Sequence, residues 1–352
     1  MSDLPPSASD PDARSRDELC LVTGATGFIG GRLTQRLVEE GHAVRCLVRA
    51  GSDTSQLDGL GVQLAVGDLT DAGSIPRAVQ GCSHVFHCAA LVSDWATVAE
   101  MQRVNVAGTR DLAAACAGAS VRRLVHFSTT DVYGHPAEAV DEKYTPTGFS
   151  NWYAQTKLEA EEAVRRVEPT GALEAVILRP ATVYGPGSKD VIGEIARAIR
   201  GGHMLLIDRG RAVAGLCYVD NVVDAALLAL RHDAAPGHAF NVTDGLAVTW
   251  RRLADDLAAG LGCPPVRWSI PYRFAAGVGF ALEHGYRLVR RATGVSVPPL
   301  LSRQAVQVLG RSQDFSNRRI RETLGWEPRV GYAEGLAATL AWLGRDSTIP
   351  AV

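Results

Sequence analysis

The sequence predicts an α/β fold, a doubly wound parallel sheet followed by a smaller and mostly helical part. Three observations predict it. Short apolar runs alternate with stretches of helical spacing between Leu19 and Leu178. A glycine-rich turn joins the first apolar run directly to the first helical stretch. After Arg179-Pro180 the strict alternation gives way to short strands, Gly/Pro turns and separated helices. Strand–helix–strand units close through right-handed crossovers, which put helices on both faces of a parallel sheet.

In chain order, residues 1–17 are rich in Ser, Pro and Asp, lack the apolar stretch of a signal peptide, and read as a disordered tail. The first strand is Leu19–Thr23, followed by Gly24-Ala25-Thr26-Gly27-Phe28-Ile29-Gly30. A helix is expected over Arg32–Glu40, with Leu33 and Leu37 on one face and Gly41 as its stop. Further strands are expected at Ala43–Val48, Val62–Val66, His84–Cys88, Arg123–Phe127 and Glu174–Leu178, with helices at Val98–Ala117 and Tyr153–Val167. The strand-like Gly215–Val219 and a helix over Val222–Leu230 are expected to return to the same unit. The expected division is a dinucleotide-binding domain over 18–180, rejoined by 215–245, with a substrate-binding cap over 181–214 and 246–345 and a flexible end at 346–352. Ligands of such sheets lie outside the carboxyl ends of the strands, where a cap would close over them.

At 352 residues the chain has room for roughly two domains, and 46% hydrophobic residues supply a sizeable core. Lys+Arg 36 against Asp+Glu 38 gives a formal charge of -2, so no global positive field recruits nucleic acid, and none is expected as a partner. The seven cysteines form no Cys-x-x-Cys pair and no cluster of zinc spacing. No metal is expected, and the cysteines read as small buried hydrophobes of a reducing cytosol. No run approaches the roughly 18 apolar residues of a membrane span, so a cytoplasmic protein is expected.

Gly24, Gly27 and Gly30 lie between a strand and a helix, where backbone N–H groups can approach a pyrophosphate at the helix N-terminus. The second strand ends Leu47-Val48-Arg49, with no carboxylate before Asp53. An acid there would bind a ribose 2′-hydroxyl, whereas Arg49 can fork onto a 2′-phosphate, so NADP(H) is favoured and NAD stays open. Arg32 could assist or could simply sit on a solvated helix face. Tyr153 and Lys157, four residues apart, share a helix face. A phenol is a poor acid or base at neutral pH, but an adjacent ammonium and an oxidised nicotinamide would bring it into range. Phe127-Ser128-Thr129 ends the fifth strand at the same sheet edge, where a hydroxyl could hold a substrate oxygen.

These pieces, with Gly67-Asp68-Leu69, His87-Cys88-Ala89-Ala90, Asn105-Val106-Ala107-Gly108-Thr109, Ser128-Thr129-Thr130-Asp131-Val132-Tyr133-Gly134 and Leu178-Arg179-Pro180, occur in one order. Over about residues 18–345 the chain resembles the extended short-chain dehydrogenase/reductase family. The resemblance implies a Rossmann-type fold, Tyr153 as general acid/base, Lys157 on the nicotinamide ribose, and Thr129 against the reacting oxygen. It further implies a cofactor held by Gly24, Thr26, Gly27, Phe28, Ile29, Gly30, Arg49, Asp68, Leu69, Ala89, Ala90, Tyr153, Lys157 and Pro180. Extended members often dimerise through the helices expected at Val98–Ala117 and Tyr153–Val167, so a homodimer is expected.

The family holds reductases, nucleotide-sugar epimerases and dehydratases. Arg179-Pro180-Ala181-Thr182 lacks the amide that sugar-nucleotide members commonly carry after the sixth strand. Phe240-Asn241-Val242-Thr243-Asp244-Gly245, Val248-Thr249-Trp250, Ser269-Ile270-Pro271-Tyr272 and Leu324-Gly325-Trp326-Glu327-Pro328 are similar to the 3β-hydroxysteroid dehydrogenase/isomerase-like branch, which includes bacterial 2-alkyl-3-oxoalkanoate reductases. The resemblance therefore implies a ketone–alcohol oxidoreductase for a hydrophobic substrate. An epimerase or 4,6-dehydratase is the alternative, and a non-catalytic NADP sensor is a third reading that the Tyr/Lys pair opposes. Candidate pocket residues are Val92, Trp95, Thr130, Asp131, Thr182 and Val183. Asp131 reads either as a turn aspartate or as a dehydratase's acid. The stripe Phe274, Val278, Ala281, Leu282, Leu288 and Val289, with Arg287, Arg290 and Arg291 largely off it, reads as core packing, a pocket wall or a membrane-surface helix.

Overall fold

The structure, a computed structural model, describes residues 18–345 except 72, 94–95, 135, 137, 146–150, 168–170 and 294–302. Trp95, the 1–17 tail and the 346–352 end therefore lie outside the described residues, as do the side chains from 283 to 293.

The strands β1 (Leu19–Thr23), β2 (Ala43–Val48), β3 (Gln63–Val66), β4 (His84–His87), β5 (Arg123–Phe127), β6 (Glu174–Pro180) and β10 (Ala239–Val242) form one sheet in the order β10-β6-β5-β4-β1-β2-β3. Every pairing is parallel. The two-residue period of a strand sends alternate side chains to opposite faces. Cys20 and Val22 thus join a core with Leu33 and Leu37 of α1 (Phe28–Glu39) and Val222 and Ala226 of α7 (Val219–Arg231). Leu21, Val85 and Leu124 face the other way, onto α2 (Ser74–Val79), α4 (Gly108–Gly118) and α5 (Trp152–Arg165). The order reverses between β1 and β4, the switch point at whose carboxyl ends sheets of this kind form their ligand crevice.

Several boundaries differ from the sequence reading for local reasons. α1 starts at Phe28, not Arg32, because Gly27 already has the extended backbone of an N-cap. The expected Val98–Ala117 helix is α3 (Val98–Met101) and α4 joined by a π-helical segment, Gln102–Ala107. β6 continues to Pro180 because β10 pairs with it over Ile177 to Pro180.

Beyond β6, β7 (Thr182–Tyr184) pairs with β9 (Leu216–Tyr218), and β8 (Leu206–Ile207) with β11 (Ser269–Ile270). A further core joins Tyr184, Ile192 and Ile195 to Trp250, Leu253 and Leu257 of α8 (Trp250–Gly260) and Leu343 of α12 (Tyr332–Leu343). Among them runs α6 (Glu194–Arg200). The long α9 (Tyr272–Thr293) packs on α10 (Arg303–Gly310) and β8 through Ala275, which meets Ile207 and Val306. Core packing of the Phe274 stripe is overturned in its described part: Phe274 is 61% exposed and Leu282 41%, because small residues on another side of α9 make the contact. The short α11 (Arg318–Leu324) ends at Gly325, in the left-handed region at φ 66°. Among the described residues, no helix is long and apolar enough to cross a membrane.

Candidate active site

The glycine turn leaves the end of β1 and meets the end of β4. Gly24 has φ 73°, and a Cβ there would lie 2.7 Å from the backbone nitrogen of Ala89, so this crossing needs a residue without a side chain. At Gly30 an added methyl would run into the Gly24 carbonyl, which seats α1 against the turn. The Gly27 N–H donates to the Gly24 carbonyl at 2.9 Å. The N-terminus of α1 has no side-chain cap and no acid in its first turn, so its N–H groups and dipole face the crevice. Thr26 and Ile29 are half-buried along the turn, and Phe28 packs toward the Tyr184 core. A backbone cradle of this kind, with an uncapped helix N-terminus above it, fits a dinucleotide pyrophosphate.

An open groove of about 580 Å³ lies at the carboxyl ends of β2 and β3, lined by Arg49, Ala50, Gly51, Ser52, Val66, Gly67, Asp68 and Asp71. Arg49 and Asp68 both line it. A hydrogen bond from the Thr70 N–H, at 2.7 Å, leads the effects that hold the Asp68 carboxyl below its usual range. Leu69 is buried in the core beside Gly108. Arg32 turns away from the groove. Its Nε donates to Asp220 at 2.5 Å, and Arg36 reaches Asp224 at 2.6 Å, so both clamp α1 to α7.

Beside the crevice, α5 begins at an Asn151 cap whose Oδ1 accepts from the Ala154 N–H at 2.7 Å. This cap fixes the first turn, which carries Tyr153, and Lys157 follows one turn on. Lys157 Nζ donates to the Phe127 carbonyl at 2.6 Å and stands 3.5 Å from His126 Nε2. Burial pushes its pKa down to about 8, against the opposing influence of Glu161 and Cys88. The Tyr153 phenol is raised above its usual range, first by burial and then by the charge of Asp131. Both influences favour the protonated phenol in the cofactor-free protein. Thr129 Oγ1 accepts from the Asp131 N–H at 3.1 Å and starts the tight turn Thr130–Tyr133. Asp131 is half-buried there, and Thr130 points into the interior.

A buried network fixes α5 from beneath. Arg179 grips Glu161 with Nε at 2.8 Å and a terminal nitrogen at 2.6 Å, and donates to the Tyr133 hydroxyl at 2.6 Å. The Tyr133 hydroxyl donates to Asn241 at 2.7 Å, which ties in β10. Burial works against the Glu161 carboxylate, but Arg179 outweighs it and holds the group below the ordinary range. The sequence reading missed this network, whose signal was Arg179 and a Glu one turn after Lys157. Of the remaining candidates, Ala89 and Ala90 are half-buried after β4, Pro180 is buried, Val92 is 61% exposed, Thr182 donates to Gln313 at 3.1 Å, and Val183 packs against both cores.

Residues 20–243 match the NAD dependent epimerase/dehydratase family. The chain belongs to that family. It is therefore a nicotinamide-dependent oxidoreductase, and the resemblance to extended short-chain dehydrogenases/reductases holds. It is 33% identical over 320 residues (90% of this chain, 94% of the relative) to the 4-hydroxy-2-methyl-3-oxo-4-farnesyl-3,4-dihydroquinoline-1-oxide ketoreductase of Stigmatella aurantiaca. It is 32% identical over 325 residues (90% and 96%) to the 2-alkyl-3-oxoalkanoate reductase of Stenotrophomonas maltophilia. Among solved structures, MoeE5 in complex with UDP-glucuronic acid and NAD superposes with a TM-score of 0.72 at 28% identity, covering 93% of this chain and 99% of that one.

Proposed function

We propose that the chain interconverts a ketone and a secondary alcohol on a hydrophobic substrate, using NADP(H). The observation that carries the reading is Tyr153 one turn before Lys157 on α5, with the buried Lys157 Nζ anchored on the Phe127 carbonyl at the end of β5. When bound, the nicotinamide supplies or takes the hydride. Tyr153 gives its proton to the oxygen in the reducing direction and recovers it in the other, Thr129 polarises that oxygen, and Lys157 holds the ribose. Gly24, Thr26, Gly27, Phe28, Ile29 and Gly30 hold the pyrophosphate, Arg49 the 2′-phosphate, and Asp68 and Leu69 the adenine, with Ala89, Ala90 and Pro180 beside the cofactor. Residues 18–180 with 215–245 form the cofactor part, and 181–214 with 246–345 the cap. Val92, Asp131, Thr182 and Val183 stand nearest the substrate, and a homodimer forms through α4 and α5. The apolar substrate follows the two reductases named above, whose names specify a farnesyl or an alkyl group.

The test is turnover of long-chain 3-oxo acids, steroids and nucleotide sugars with NADPH and with NADH. A hydrophobic ketone should be reduced faster with NADPH, and Tyr153→Phe should lower that rate by about 10²–10⁴-fold with little change in NADPH affinity. Equal rates with both cofactors remove the Arg49 assignment, and wild-type turnover by Tyr153→Phe removes the mechanism. A second reading, epimerase or dehydratase, is favoured by the place of Asp131, half-buried on the turn that Thr129 starts. Loss of a dehydrated sugar nucleotide in Asp131→Asn would establish it.

A further inference from the structure

Beneath Lys157 a row of polar side chains crosses three strands. Thr23 of β1, His87 of β4 and His126 of β5 are direct cross-strand partners, all on the face covered by α4 and α5. All three are fully buried. The two imidazoles lie with ring centroids 5.1 Å apart, yet they are held in different ways.

His87 is saturated. Thr109 Oγ1 donates to the Asn105 carbonyl at 2.6 Å, so it accepts from His87 Nε2–H at 2.8 Å. Nδ1 then accepts from the Thr23 hydroxyl at 2.7 Å, and Thr23 Oγ1 accepts from the Ala89 N–H at 3.3 Å. This chain of donors fixes one neutral tautomer and binds β1, β4 and α4 together. His126 has no such support. Its Nδ1 is buried with no hydrogen-bond partner, and Nε2 stands 3.5 Å from the Lys157 ammonium. A buried imidazole with an unpartnered nitrogen costs stability that a hydrophobic residue would avoid. What it offers here is one lone pair aimed at one ammonium.

We propose that His126 is a positioning residue for Lys157, a neutral acceptor that keeps the buried ammonium charged and turned toward the site. The lysine has three N–H groups; the Phe127 carbonyl takes one and His126 Nε2 stands ready for a second. Because an ammonium only donates, Nε2 must carry its lone pair, and the proton sits on the unpartnered Nδ1. His126 itself stays neutral, since burial and then the charge of Lys157 push its pKa well below 6.5. The other groups facing Lys157 are His87 and Cys88 from β4 and Glu161 from its own helix; Arg165 acts on His126, and Arg179 neutralises Glu161. The catalytic consequence rests on the function proposed above, but the state of the ammonium can be read without it.

The chain contains only three lysines, Lys143, Lys157 and Lys189. The lysine ¹³Cε signal of the cofactor-free protein therefore reports each titration separately, and Lys157→Met assigns the peak. In His126→Leu the Lys157 midpoint should fall by about 0.5–1 pH unit, the value of losing one acceptor to a charged group at this length. His126→Gln, which restores an acceptor oxygen at the same reach, should recover most of it. The alkaline limb of the kcat/KM profile should move with the midpoint. An unchanged or raised midpoint in His126→Leu, even with a lowered melting temperature, overturns the proposal and leaves His126 as packing. If His126→Leu does not fold, His126→Met is read by the same criterion. The failure of the reductase reading shows separately, as turnover retained by Tyr153→Phe while the lysine midpoint still shifts.

Discussion

The sheet and the α9–α10 pair use hydrophobic residues in opposite ways. In β4 and β5 every residue is buried, and helices on both faces close over them with Leu33, Leu37, Leu112 and Val164. In the described part of α9 the buried contact is made by Ala275, while Phe274 is 61% exposed. The same helical spacing of apolar residues thus has two meanings. Where large side chains meet a sheet they bury more area, and each contributes about 1.5–3 kcal/mol. Where the contact is made by a small residue such as Ala275, the helix comes close to its neighbours without burying Phe274.

If the sheet side is where stability resides, its buried charges should be the most costly to disturb. Glu161 is fully buried and holds Arg179, itself 6% exposed, through two bonds. Glu161→Ala leaves that guanidinium buried without a counter-charge, and the expected loss is about 3–5 kcal/mol in urea unfolding. A loss below about 1 kcal/mol would mean that water reaches Arg179 and that the network does not anchor α5.

The same contrast explains what was legible in the sequence. β1, β2 and β5 fall where the apolar runs place them, because a strand buried on both faces is written as a continuous apolar run. The glycine turn and the Tyr153/Lys157 pair were legible because each is local. The π-helical segment Gln102–Ala107 was not, since it changes hydrogen bonding without changing apolar spacing. β10 was hidden because it is short and pairs with β6 far away in sequence. His87 and His126 look like ordinary strand residues until β4 and β5 align. Arg32 looked free because its partner, Asp220, lies 188 residues away.

A second way to sharpen the contrast is acid. Burial drives the His87 pKa down to about 3 and that of His126 well below 6.5. The unfolded chain binds these protons near pH 6.5 and the folded protein does not, so the unfolded state holds more protons below that pH. Stability is therefore full above about pH 6.5 and declines as the pH falls, toward pH 3 for His87. The slope is about 1.4 kcal/mol per pH unit for each histidine. His84, lowered to about 4 chiefly by burial, acts in the same sense. Urea unfolding at pH 7.5 and 5.5 should differ by about 2–4 kcal/mol, and His87→Asn should flatten the dependence. A flat profile in the wild type would show that the histidines reach solvent before global unfolding.

The smallest effect is expected in α9. Phe274 is 61% exposed, while its neighbour Ala275 is fully buried against Ile207 and Val306. Removing the ring deletes little buried area, and an exposed substitution away from caps and ion pairs ordinarily stays within about 0.5 kcal/mol. Phe274→Ser should leave the urea midpoint nearly unchanged. Ala275→Leu, by contrast, forces three extra carbons into a closed contact and should cost about 1–3 kcal/mol. The pair therefore inverts the usual ranking, with the large residue dispensable to the fold and the small one not. If Phe274→Ser cost as much as Ala275→Leu, the ring would be covered in solution and the contrast between α9 and the sheet would collapse. If only Ala275→Leu is costly, close approach by a small side chain is what holds this helix in place.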